Sequence, residues 1–207
     1  MPYFKNAHLL FIHIPKTGGS NIENFFMNYL KQNPTINQLL SNNLNLKINN
    51  HSLQHMTYQE IYNNKDFFNI NFDSKIKILT VVRNPYNRII SDLFYLKFGN
   101  KKNNKDEIEK IIEKYLNSNH LYDNHKLEQY KFLIDNDNNI NKNIIILNSE
   151  TLNDQMNELG FPEFSNFCNQ TNTKITKDYY DYLNEASIKM INDYYKKDFE
   201  YFNYTML

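Results

Sequence analysis

Ala7-His8-Leu9-Leu10-Phe11-Ile12-His13-Ile14-Pro15-Lys16-Thr17-Gly18-Gly19-Ser20 runs from an apolar octet into a proline, a lysine and a glycine pair. Residues 7–14 read as a buried strand that stops at Pro15. Gly18 and Gly19 allow backbone angles and close approach that other residues resist. Beyond them Ile22, Phe25, Phe26, Tyr29 and Leu30 recur at helical spacing, with Ser20 placed to cap the helix. A strand feeding a glycine turn and a helix N-terminus makes an anion site, because backbone N–H groups point outward and the helix dipole favours negative charge. Lys16 adds a mobile cation, and Thr17 and Ser20 add hydroxyl donors. A plain strand-to-helix turn with a solvent lysine would use the same residues, so this stretch alone leaves both readings open.

The second strand, 76–82 (Ile-Lys-Ile-Leu-Thr-Val-Val), ends in Arg83-Asn84-Pro85. Pro85 suits the first turn of a helix, here Tyr86 to about Lys97, with Ile89, Ile90, Leu93, Phe94 and Leu96 inside. Arg83 can fork onto a phosphate through two parallel hydrogen bonds. Ser91, about two turns into the helix, reaches toward the same anion. The first loop is not the ATP/GTP loop, in which the lysine follows the glycines. Strand 76–82 also ends in arginine where a magnesium-holding aspartate would be expected, which points away from phosphoryl transfer. Two anion sites on neighbouring strand ends imply a ligand with two separated anionic groups.

A third strand is expected at 143–147, followed by a helix capped at Ser149 or Thr151. Further helices are expected at 106–117 and 124–134, and a helical pattern at 178–200 breaks near Asn184. This order predicts an α/β fold: one domain over 1–207, a parallel β-sheet flanked by helices, P-loop-like in its nucleotide-binding layout. Asparagine-rich stretches at 41–50, 100–104 and 135–143 read as loops. The 207 residues carry 23 basic and 23 acidic side chains, so nothing suggests a surface built to neutralise nucleic acid or anionic lipid. The single cysteine, Cys168, excludes a disulfide framework and a Cys-rich zinc site. With no apolar run of about 18 residues and no leader-like start, a soluble, cytoplasmic setting without a transmembrane anchor is expected. Lysine replaces arginine almost everywhere. The two arginines, Arg83 and Arg88, both fall in the second motif, and half of the four glycines fall in the first.

Phe11 to Ser20, followed by Val82-Arg83-Asn84-Pro85-Tyr86-Asn87-Arg88 and Ser91, resembles the sulfotransferases, in particular the branch that includes glycan 2-O-sulfotransferases. The resemblance implies 3′-phosphoadenosine 5′-phosphosulfate (PAPS) as sulfuryl donor, with no metal, and an acceptor hydroxyl on a carbohydrate. It implies that Lys16, Thr17, Gly18, Gly19 and Ser20 hold the 5′-phosphosulfate and that Arg83 and Ser91 hold the 3′-phosphate. His55-Met56-Thr57-Tyr58-Gln59-Glu60-Ile61 is similar to the family's His-x-[Ser/Thr] segment. Residues 146–152 resemble its strand followed by Glu-x-Leu, and residues 194–204 its closing helix. The likeness is weakest over 98–142. Lys174 or Lys177 are candidates for the adenosine. The expected lack of an anchor would depart from the luminal glycan-modifying members that the resemblance brings in.

Sulfuryl transfer needs an in-line acceptor hydroxyl, a base for its proton and a cation for the leaving phosphate. Lys16 is placed to stabilise the bridging oxygen. His55 is the candidate base, with Thr57 capping the next helix; His51 is its rival and Glu60 a third choice. His13 reads as structural, orienting a loop, while His8, His120 and His125 have no assignable role. His51 and His55 have the spacing of a zinc pair, but no third ligand is evident. The C-terminal tyrosines read as packing, with some free to line a sugar cleft. A kinase using the same loop, or a non-catalytic nucleotide- or glycan-binding module, are the alternative readings.

Overall fold

The computed structural model describes residues 2–31, 33, 51–73, 75–171 and 178–207. Four strands, β1 (Tyr3–Phe4), β2 (Leu9–Ile12), β3 (Lys77–Val82) and β4 (Ile144–Asn148), lie side by side in that order. β2, β3 and β4 are parallel, and β1 adds an antiparallel edge, Tyr3 opposite Leu10. The expected strand 7–14 is therefore shorter. Lys5–Ala7 form a 3-10 turn and His8 takes a left-handed backbone (φ 48°), so the ladder starts at Leu9.

β2 is buried along its whole length, and β3 is exposed only at Lys77, as expected of strands covered on both faces. Strand periodicity divides the core. Leu10, Ile12, Ile78 and Val82 pack on one face with Leu53, Met56, Ile61 and Phe132. Leu9, Phe11, Leu79 and Val81 pack on the other against α1 (Gly19–Leu30), α5 (Leu152–Glu158) and α6 (Phe164–Thr171). A third cluster joins α3 (Pro85–Tyr95) to α4 (Lys105–Asn117), α7 (Glu185–Tyr194) and α8 (Lys196–Phe202). The short α2 (Tyr58–Asn63) precedes β3.

Several helix expectations are corrected. α1 is capped by Gly18 in the left-handed region, not by Ser20, which lies inside the first turn. Thr151 stands at the N-cap of α5, one of the two positions expected, but its hydroxyl makes no capping bond, and Ser149 opens the 3-10 turn before it. No helix fills 124–134. Tyr122, Asp123 and Asn124 are all left-handed, and only Gln129–Phe132 makes a 3-10 turn, whose Gln129 and Tyr130 N–H groups donate to the Asp198 carboxylate at 2.9 Å each. The break at Asn184 is present, as a capping box with Ser187 that opens α7. Lys174 and Lys177, and the 41–50 loop, lie outside the described residues.

Candidate active site

The loops leaving the carboxyl ends of β2 and β3 converge on a cleft of about 360 Å³, lined by Lys16, Gly18, Gly19, Ser20, His55, Arg83 and Ser91 among others. Of the residues assigned from sequence to the donor site and to the favoured base, all line this cleft except Thr17. That side chain is buried, and its hydroxyl donates to the Ile14 carbonyl at 2.9 Å, so it braces the loop from within. Gly18 needs its freedom for φ 97°. Gly19 needs its lack of a side chain, because a Cβ there would stand 2.8 Å from His13 Nε2. Lys16 holds φ 65°, an uncommon value for a residue with a side chain. Its ammonium lies 4.1 Å from the Tyr95 ring centroid. Burial lowers the Lys16 pKa; Asp92 acts against that shift and Arg83 adds to it.

Arg83 ties the two loops together. It donates from Nη1 to the Lys16 carbonyl at 3.1 Å and packs over Tyr179, while the Gln129 amide closes a two-way bond with its backbone. That leaves most of a five-donor guanidinium for an anion. Arg88 does the opposite job. It is buried, and Nε, Nη1 and Nη2 donate to the carbonyls of Pro15, Leu127 and His125 at 3.1, 2.9 and 2.8 Å. Its role is to brace the first loop.

α3 supplies one polar stripe to this region. Arg88, Ser91, Asp92 and Tyr95 follow one another at i, i+3, i+4 and i+7, which puts them on one helix face. Asp92 is buried and bonded to His125 Nδ1 and to the Tyr115 hydroxyl.

Three imidazoles line the cleft in a row. The rings of His13 and His55 are 5.4 Å apart, those of His55 and His125 5.1 Å, and His125 stacks on Tyr95. Each bonds a carboxylate through Nδ1: His13 to Glu23, His55 to Asp123 and His125 to Asp92. Burial pulls His55 down to about 4. The Asp123 bond opposes that, and the neighbouring His13 and His125 deepen it. His13 was expected only to orient a loop; it does buttress Gly19, and it also lines the cleft.

The rival bases sit elsewhere. His51 is engaged at both nitrogens, with the Ser52 carbonyl and Glu60 at 2.9 Å each, which removes it as a zinc partner for His55. Glu60 also completes the capping box of α2 with Thr57, the cap anticipated from sequence. His55, Asp123 and His125 do offer ligand atoms within 4.8 Å of one another, although His55 Nδ1 and Asp123 Oδ2 already share a hydrogen bond at 2.8 Å. Sequence reasoning missed Tyr95, Asp92, Asp123 and His125. The stripe on α3 could have revealed the first two; nothing local marked the others.

A family model described as the sulfotransferase family matches residues 3–205. The chain belongs to the sulfotransferase family. The match takes in both loops, the histidine row and α8, and it makes this sulfotransferase-family chain a transferase. No curated protein and no solved structure matches it. Among the described residues no helix is long and apolar enough to cross a membrane.

Proposed function

We propose that the chain transfers the sulfuryl group of PAPS to a hydroxyl of a carbohydrate acceptor, as a member of the branch that includes glycan 2-O-sulfotransferases. The observation that carries the reading is the convergence of Lys16, the Gly18–Ser20 turn, Arg83, Ser91 and His55 on one cleft. The backbone N–H groups of residues 17–20, the Ser20 hydroxyl and Lys16 receive the 5′-phosphosulfate in the manner of a P-loop. Arg83 and Ser91 receive the 3′-phosphate. His55 takes the acceptor proton as the acceptor oxygen bonds to sulfur and the bond from sulfur to the phosphate oxygen breaks. The products are the sulfate ester and adenosine 3′,5′-bisphosphate. Lys16 stabilises the charge that grows on the leaving oxygen. No step calls for a metal ion.

The test is thermal unfolding without magnesium. PAPS or adenosine 3′,5′-bisphosphate at 100 times its Kd should add about 2.7 kcal/mol of stability. Absence of a shift overturns the reading, and a larger shift from ATP with magnesium favours a kinase. Radiolabelled PAPS against a panel of glycans then reads the transfer itself. Tight binding with no transfer to any of them would make the chain a binding module.

A further inference from the structure

We propose that Asp123, held in the left-handed turn Tyr122-Asp123-Asn124, is a positioning residue that fixes the His55 tautomer, proton on Nδ1 and lone pair on Nε2. The inference rests on the reading of His55 as the base.

An imidazole accepts a proton only at its bare nitrogen, and the partner of the other nitrogen decides which one that is. His55 Nδ1 faces two acceptors, the Asp123 carboxylate at 2.8 Å and the Asp123 carbonyl at 3.0 Å. A nitrogen facing two acceptors carries the hydrogen. The carboxylate is ionised: burial would raise its pKa, but the bonds from His55 and Ser52 hold it at about 2. Nε2 is therefore the basic atom of a ring that lines the cleft.

One residue presents both acceptors because of its backbone. Tyr122, Asp123 and Asn124 have φ of 51°, 58° and 62°, three successive left-handed residues, each with a side chain. Such runs are unfavourable for L-residues and persist only where the surroundings over-determine them. Here the fastenings lead back to the base. Ser52, which opens the 3-10 turn Leu53–His55, donates its N–H and hydroxyl to the Asp123 carboxylate. Asn124 Nδ2 donates to the His55 carbonyl at 2.9 Å, and the His125 ring meets the His55 ring edge-on. Tyr122 stacks on Tyr115 of α4. The turn thus grips His55 at its carbonyl, its Nδ1 and one side of its ring. The other ionisable groups around His55 are His13 with its partner Glu23, His125 with its partner Asp92, and Lys16 across the cleft.

The experiment uses the full chain labelled with ring-¹⁵N histidine and no substrate. A long-range ¹H–¹⁵N spectrum at neutral pH, with His55 assigned through His55→Gln, should show Nδ1 protonated and Nε2 bare. Asp123→Asn should mix or invert that pattern. In turnover, Asp123→Asn should lower kcat about 10- to 100-fold, with acceptor KM and adenosine 3′,5′-bisphosphate affinity within about twofold of the parent. Added to His55→Ala it should remove nothing further. A wild-type His55 carrying its proton on Nε2 overturns the inference even in an active enzyme, as does a full additional loss in the double variant. If no acceptor is sulfated, the proposed reaction falls while the spectrum still decides the tautomer. Should Asp123→Asn not fold, the wild-type spectrum stands alone, and Ser52→Ala should give a smaller drop in kcat of the same kind.

Discussion

Lys16 reaches the cleft from a left-handed backbone position with its ammonium against the Tyr95 ring, in surroundings dry enough to lower its pKa. A cation placed in that way acts on charge that grows during reaction more than on charge already present in the donor. Lys16→Ala should therefore lower kcat about 100-fold or more, while adenosine 3′,5′-bisphosphate affinity changes less than about tenfold; steady-state kinetics beside calorimetry separates the two. His55 yields a pH prediction. Its pKa of about 4 leaves the ring neutral above that value, so the acid limb of kcat/KM should lie near 4 and the profile stay flat through neutrality. A limb near 6.5 would contradict the buried setting among His13, His125, Asp123 and Lys16. Stability has the corresponding sign. The unfolded chain takes this proton below about 6.5 and the folded one only near 4, so stability is lost as pH falls through that window. At position 19 the absent side chain matters. Gly19→Ala should destabilise by about 1–3 kcal/mol in urea melts, because the new Cβ meets His13.

At the scale of elements, α3 connects core and cleft. Tyr86, Ile89, Ile90 and Leu93 are buried in the third cluster, while Arg88, Ser91, Asp92 and Tyr95 form the stripe toward the loops. Arg88 reaches the Pro15 carbonyl across 73 residues of chain. A lysine keeps the charge but cannot address three carbonyls in different directions. Arg88→Lys should cost about 2–4 kcal/mol, read by chemical denaturation, even though the two carry the same charge. α1 and α4 were legible from apolar spacing alone, although the caps that open them, Gly18 and the Asn104 and Glu107 box, were not read, whereas Pro85 before α3 and Asn184 before α7 marked their helix ends directly. The segment 124–134 misled because its apolar residues follow a helical period while its backbone hydrogen bonds go elsewhere. The N–H groups of Gln129 and Tyr130, at its middle, are satisfied by Asp198, a residue that arrives from α8.

Over the whole molecule, the parallel strands bring two loops some seventy residues apart in sequence to one edge, and the Arg83 bond to the Lys16 carbonyl joins them. A donor that touches both loops should bind far better than one touching a single loop. Adenosine 5′-phosphosulfate, which lacks the 3′-phosphate, should stabilise the chain at concentrations at least about tenfold higher than PAPS; Arg83→Ala should bring the two close together in a thermal titration. Both loops were readable because each is a contiguous strand, turn and helix whose chemistry lies within ten residues. Asp123 and His125 were not, since their approach to His55 depends on a left-handed turn that no residue type in Tyr122-Asp123-Asn124 demands.

The contact between the Gly19 backbone and the His13 ring also constrains the order in which this sequence can change. A side chain at position 19 forces the imidazole at 13 to give way, whereas position 13 can shrink with Gly19 in place at no such cost. The less costly route to alanine or serine at 19 therefore passes first through a smaller residue at 13. The two positions are thus coupled, and a library that varies both should recover side chains at 19 more often beside reduced side chains at 13 than beside histidine.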